Sequence, residues 1–117
     1  YKEALHYFGL QKTKWHKAFE KTYQFTESIL DELSKRYTLG IIANQSAGST
    51  QRLADWGIGK YFDLVIASAD EDVEKPNPEI FKIALERANC LPENAVMVGD
   101  RIDNDILHAK KLGIKTV

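Results

Sequence analysis

The 117-residue sequence predicts an α/β protein built on a parallel sheet, and three observations lead there. Short apolar runs recur at residues 39–43, 64–67 and 95–98 and begin again at Ile114. Continuous apolar runs of this length suit strands buried on both faces. Stretches with helical spacing separate them, and a polar cluster follows each of the first three. Strands alternating with helices over short connections place the helices on the faces of a parallel sheet.

The elements follow in order. Residues 1–23 have helical composition, with Leu5, Phe8, Trp15, Phe19 and Tyr23 able to lie on apolar faces and Gly9 dividing two helices. A further helix is expected from Thr26 as N-cap, with Ile29, Leu30 and Leu33 facing inward. The strand at 39–43 leads to a helix over 49–56, closed by Gly57. After the strand at 64–67, Pro78 opens a helix over 78–88 whose apolar residues are Ile80, Phe81, Ile83, Ala84 and Leu85. The strand at 95–98, a helix over 106–112 and a strand from Ile114 complete the alternation. Tyr1 begins inside a helical stretch and residues 113–117 read as a strand just starting, so the sequence is expected to be a piece of a longer chain.

Composition removes several classes of function. Sixteen basic against seventeen acidic residues give a net charge of -1, which supplies no broad basic surface for nucleic acid. No apolar run approaches the roughly 18 residues of a membrane span, and no signal peptide is visible. Cys90 is the single cysteine and has no partner for an intramolecular disulfide, so a reducing cytoplasm is the expected compartment. Cys90 reads as an ordinary thiol, and His6, His16 and His108 lack metal-ligand spacing.

Ligands of open parallel sheets bind outside the carboxyl ends of the strands. The polar residues at those ends, 44–49, 68–75 and 99–105, are therefore expected to converge. In the last cluster an apolar strand runs into Gly99, and Asp100 and Asp105 flank a turn into a helix. Three aspartates within six positions, with Asn104 among them, repel one another unless a cation sits between the carboxylates. Mg²⁺, which takes hard oxygen ligands and uses only one or two carboxylates, suits such a turn. Gly99 is expected to let the backbone turn sharply and approach a ligand. Asp103 or Asn104 can alternatively serve only as a helix cap.

Lys75 lies between a strand end and a helix, in a loop stiffened by Pro76 and Pro78. An ammonium held near a carboxylate cluster can hold a phosphoryl group and offset developing charge. In the first cluster, Asn44 can donate to a phosphoryl oxygen, and N–H groups at the following helix start favour anions. A helix cap by Ser46 or Ser49 explains the same residues equally well. Asp70, in the acidic run 70–72, is an outer-shell acid at most.

Taken together, the strand ending in Ala43, Asn44 and Gln45, the run KPNPEIF at 75–81, and Gly99 and Asp100 followed by Asn104 and Asp105 resemble the haloacid dehalogenase superfamily. The likeness is to its phosphatase-like members with a helical cap, and it covers residues 26–117. It implies a three-layer, Rossmann-like core over 26–117, part of a longer core, with residues 1–25 the C-terminal part of a helical cap. It also implies a Mg²⁺-dependent phosphohydrolase acting on a small phosphorylated metabolite through an aspartyl-phosphate. Lys75 would orient the nucleophile and phosphoryl group, and Asp100 would bind the metal directly. Asp105 would sit in or just outside the metal shell, and Asn44 and Gln45 beside the phosphoryl group.

The sequence departs from the family pattern twice. Ala43 stands where a serine or threonine normally donates to the phosphoryl group, leaving Asn44 or a backbone N–H to compensate. The Asp-x-Asp strand that carries the nucleophile is absent and is expected upstream of Tyr1. The alternatives are a metal-independent haloacid dehalogenase and a non-catalytic phosphate-binding or interaction module. No oligomeric state is read from the sequence.

Overall fold

A computed structural model of the chain describes Tyr7, Gly9 and residues 20–117. The remaining residues expected to form the N-terminal helices, with Trp15, His6 and His16, lie outside the described residues. Strands β1 (Gly40–Ala43) and β2 (Leu64–Ala67) pair in parallel, Ile42 opposite Ile66 and Ala43 opposite Ala67. Strands β3 (Val96–Met97) and β4 (Lys115–Thr116) form a second parallel pair. Gly99 N–H donates to the Val117 carbonyl and Val117 N–H to the Met97 carbonyl, so pairing continues past the assigned ends. Among the described residues, β1 and β3 are each paired on one edge only. This explains why β1, expected to be buried, is only half-buried from Ile41 to Ala43 and exposed at Gly40.

Helix α1 (Thr26–Ser34) precedes β1, and α2 (Ser49–Asp55) follows it. The short α3 (Ser68–Glu71) follows β2 directly, and α4 (Glu79–Arg87) leads towards β3. A π-helical turn (Ile102–Ile106) runs into α5 (Leu107–Lys111) before β4. Neither α3 nor the π turn is visible in the spacing of apolar residues.

One core joins the two strand pairs. Ile66 of β2, Ile80, Phe81 and Ala84 of α4, Ala109 of α5 and Ile114 form its buried cluster, with Ile42 and Met97 packed against it. Ile66, Ile80 and Phe81 are almost wholly buried, each burial being favourable by about 1.5–3 kcal/mol. The apolar face read from the sequence of α4 is the face that enters the core.

Helices α2, α4 and α5 end alike, and this fixes the direction in which the chain leaves each helix. After α2, Ile58 N–H bonds the Leu53 carbonyl and Gly57 N–H the Ala54 carbonyl, with Gly57 at φ 73°. The same six-to-one and five-to-two bonds close α4 at Asn89 and α5 at Gly113. The left-handed position favours Gly and tolerates Asn, whose polar side chain relieves part of the cost.

Helix α1 departs from expectation. Its N-cap is Phe25 rather than Thr26. Ile29 and Leu33 are exposed, as is Tyr23 before the helix, and no residue of α1 is buried. The helix instead touches the turn at Gly59–Tyr61, where Glu27 accepts hydrogen bonds from Lys60 and Tyr61. Among the described residues, no helix is long and apolar enough to cross a membrane.

Candidate active site

The three polar clusters meet, through contacts of Asn44 with Lys75, of Gln45 with Ser68 and of Lys75 with Asp105. Asn44 lies just past β1 and reaches Lys75, 31 residues away, with both ends of its amide. Its Nδ2 donates to the Lys75 carbonyl and its Oδ1 accepts from Lys75 N–H, each at 2.7 Å. The Lys75 side chain then runs inward, and Nζ donates to Oδ1 of Asp105. The side chains in this ion pair are only 12% and 7% exposed.

Burying two charges is costly unless the pair is close and its remaining polar atoms are satisfied. Here the pair is close, and both Asp105 oxygens have partners. The other Asp105 oxygen accepts from Arg101 N–H at 3.2 Å, and Asp105 N–H donates back to the Arg101 carbonyl at 2.7 Å. The π turn brings this about by carrying Asp105 inward below Arg101.

At Gly99 the space left by the missing side chain is taken up by Asp105. Its φ is not in the left-handed region. A Cβ built there would stand 2.4 Å from Asp105 Cβ and 2.8 Å from Asp105 Oδ2. Contacts that short do not occur, so the missing side chain is what lets the Asp105 carboxylate pass. The pairing of Gly99 with Asp105 is invisible in sequence spacing alone, because it depends on how the π turn folds back.

The Lys75 loop is fixed from its other end as well. Asn77 Oδ1 accepts from Glu79 N–H at 3.0 Å, and Asn77 N–H donates to the Glu74 carbonyl. Asn77 was not among the expected site residues, although Asn two positions before a helical Glu is a known turn signal. The Lys75–Pro76 peptide is cis.

Asp100 is exposed, just past the end of β3. Asp103 pairs with Arg101 at 2.8 Å, and no side chain caps the π turn, so the cap role considered for Asp103 or Asn104 is not seen. The Arg101 hydrogen bond and charge hold the Asp103 carboxyl below its ordinary value, against a smaller opposing effect of burial. In α3, Asp70 is exposed, and Glu71 makes a two-pronged pair with Arg87 at 2.6 and 2.7 Å.

Gln45 faces elsewhere than Asn44. Its Oε1 accepts from Arg52 Nη2 at 3.2 Å, and its carbonyl accepts from Ala69 N–H and Ser68 Oγ. Gln45, Ala43, Ser49 and Arg52 line a cleft of about 420 Å³ that Lys75 and Asp105 do not line. The N-cap of α2 is Gly48, and Ser49 Oγ donates to the Ser46 carbonyl at 3.2 Å.

Among the described residues, no three His, Cys, Asp or Glu side chains group to hold a metal ion. Mg²⁺ does not need three, since it typically keeps several waters beside one or two carboxylates. The exposed Asp100 fits such a ligand. Asp105 fits less well as a direct one, because both its oxygens are already engaged.

A parallel α/β core in which a lysine from one strand-end loop pairs with a buried aspartate from the turn after another strand is the class that fold and site define. The sequence profile described as haloacid dehalogenase-like hydrolase matches residues 3–117, and the chain belongs to that family. It is 40% identical over 93 residues to a glyceraldehyde 3-phosphate phosphatase of Methanothermobacter thermautotrophicus, covering 79% of this chain and 41% of that one. Its fold matches the crystal structure of a phosphatase of the same family from Thermococcus onnurineus, at TM-score 0.78 and 31% identity. That match covers 99% of this chain and 57% of the other. It also matches a 2-haloacid dehalogenase from Pseudomonas syringae, at TM-score 0.74 and 31% identity over 82% of this chain and 40% of that one. The chain thus spans well under two thirds of these relatives.

Proposed function

We propose that the protein is a Mg²⁺-dependent phosphohydrolase acting on a small phosphorylated metabolite in the cytoplasm. The observation that carries this reading is the buried Lys75–Asp105 pair held at the carboxyl ends of parallel strands. An ammonium so placed has two further N–H donors for phosphoryl oxygens, and Asp105 keeps it pointed at one spot. Its charge stabilises negative charge as it develops on the transferring group.

The nucleophile is an aspartate on a further parallel strand, carried upstream, that lies between β1 and β3 and forms an aspartyl-phosphate. The one-sided pairing of both strands supports this. Asp100 would hold Mg²⁺, which when bound screens the repulsion between carboxylates and the phosphoryl group. The phosphatase relatives favour a phosphorylated substrate over a haloacid.

Phosphate release from p-nitrophenyl phosphate by the full-length protein tests the reading. Release is expected to need Mg²⁺ and to fall by about a hundred- to a thousandfold in Asp100→Ala, the scale of losing a main electrostatic stabiliser. Retained activity in that variant would sink the assignment. The dehalogenase match supports one second reading, in which the same nucleophile attacks carbon. Halide release from a 2-haloacid that survives a chelator would establish it. A protein that binds phosphate with Mg²⁺ but turns over neither substrate would be a binding module.

A further inference from the structure

We infer that Asn44 is the positioning residue for Lys75, holding the lysine backbone instead of binding the phosphoryl group itself. The inference rests on the phosphohydrolase reading for its catalytic meaning, but its geometry stands alone. One side-chain amide pairs with both the N–H and the carbonyl of one residue, at 2.7 Å each. This is the exchange that two residues make across an antiparallel pair. Two bonds to the same residue on either side of its Cα fix the direction in which the side chain leaves.

That direction matters more for lysine than for most residues. Its four-carbon stem is flexible and its ammonium is a point charge with no preferred plane. Left to itself it would sample many rotamers, and a misplacement of about 1 Å can cost about a hundredfold in rate. Here the stem is fixed at both ends, by Asn44 at the backbone and by Asp105 at Nζ. Two residues on different strand ends thus hold one cation between them. Ala43 supplies no hydroxyl at the neighbouring position, so the first cluster contributes to the site through Lys75.

A direct phosphoryl ligand and a positioning residue respond differently to removal of Lys75. In the full-length protein, Asn44→Ala is compared in the native and Lys75→Ala backgrounds. The measurements are kcat/KM on p-nitrophenyl phosphate and affinity for inorganic phosphate with Mg²⁺. A positioning role predicts a loss of roughly tenfold or more with Lys75 present, as expected for two lost hydrogen bonds. The loss should shrink to within about twofold once Lys75 is gone. An equal loss in both backgrounds overturns the inference.

The second readout does not need turnover. Acylation of Lys75 by an amine-reactive ester, followed by mass spectrometry, should be slow in the native protein and roughly tenfold faster in Asn44→Ala, as the held side chain is released. Unchanged acylation also overturns the inference. Asn44→Ser, too short to reach both backbone groups, should also speed acylation and serves if the alanine variant does not fold. A native protein that releases no phosphate would refute the phosphohydrolase reading, while the acylation rates would still decide the role of Asn44.

Discussion

Asp105 is the residue on which the site turns, because three separate features exist to receive its carboxylate. Lys75 pairs with one oxygen, Arg101 N–H with the other, and Gly99 leaves the space. Gly99→Ala should therefore destabilise the protein by about 1–3 kcal/mol, the usual cost of forcing extra volume into a packed site. Urea denaturation measures it, and a change near zero would mean that Asp105 moves aside freely. Asp105→Ala leaves a mostly buried ammonium without its partner and should cost up to about 3–5 kcal/mol. Lys75→Met in the same background should recover part of that loss, because it removes the stranded charge. Asp103 belongs to the same scale but is exposed, and its pairing with Arg101 is correspondingly weak. Its lowered carboxyl pKa means that the contribution is present above the unfolded-state value and fades as pH falls through the folded one. In Arg101→Ala, carbon-detected NMR should show Asp103 titrating higher, nearer its ordinary value. No movement would assign the shift to the backbone N–H groups at Asp103 and Asn104.

At the scale of elements, α4 does the most. It supplies three of the six buried residues in the core cluster, and its N-terminal loop carries Lys75. Phe81→Ala should cost about 3–5 kcal/mol and loosen the Lys75 loop at the same time. Differential scanning calorimetry reads the first effect, and amide exchange at Asn77 and Glu79 the second. If exchange there stayed native, the loop would be held by Asn44 and Asn77 without help from the helix. The spacing of Ile80, Phe81 and Ala84 made this helix legible, and Pro78 marked its start. The same reasoning found α1 but not its surroundings, since Ile29 and Leu33 have helical spacing yet are exposed while Leu30 is half-buried. Periodicity identifies an apolar face but not what covers it. The π turn was illegible for another reason: it interrupts the helical period over Ile102–Ile106 in order to turn Asp105 inward.

For the molecule as a whole, the arrangement of strands decides how the site is completed. Two parallel pairs share one core, and β1 and β3 are each paired on one edge. Under the proposed function, a strand carried upstream joins both pairs into one sheet. Amide exchange at Ile41, Ile42, Val96 and Val98 should then be much slower in the longer protein than in residues 1–117 alone. Equal exchange in the two would remove the support that the sheet gives to an upstream nucleophile.

The sequence by itself determined the α/β class, the order and near-limits of β1, β2 and α4, and the convergence of residues 44–49, 68–75 and 99–105. Those follow from local causes: runs of apolar residues, helical spacing, Pro and Gly at the ends, and the rule that polar loops gather at the carboxyl ends of parallel strands. It also marked Asn44, Lys75, Asp100 and Asp105 by residue type and position. Only the tertiary structure decided their partners. Asn44 holds Lys75, Lys75 meets Asp105, and Gly99 makes room for that carboxylate. Those contacts join residues about 30 positions apart, or depend on a turn that breaks the helical period. Their geometry is set by how β1, α4 and the π turn pack together, which no local pattern records.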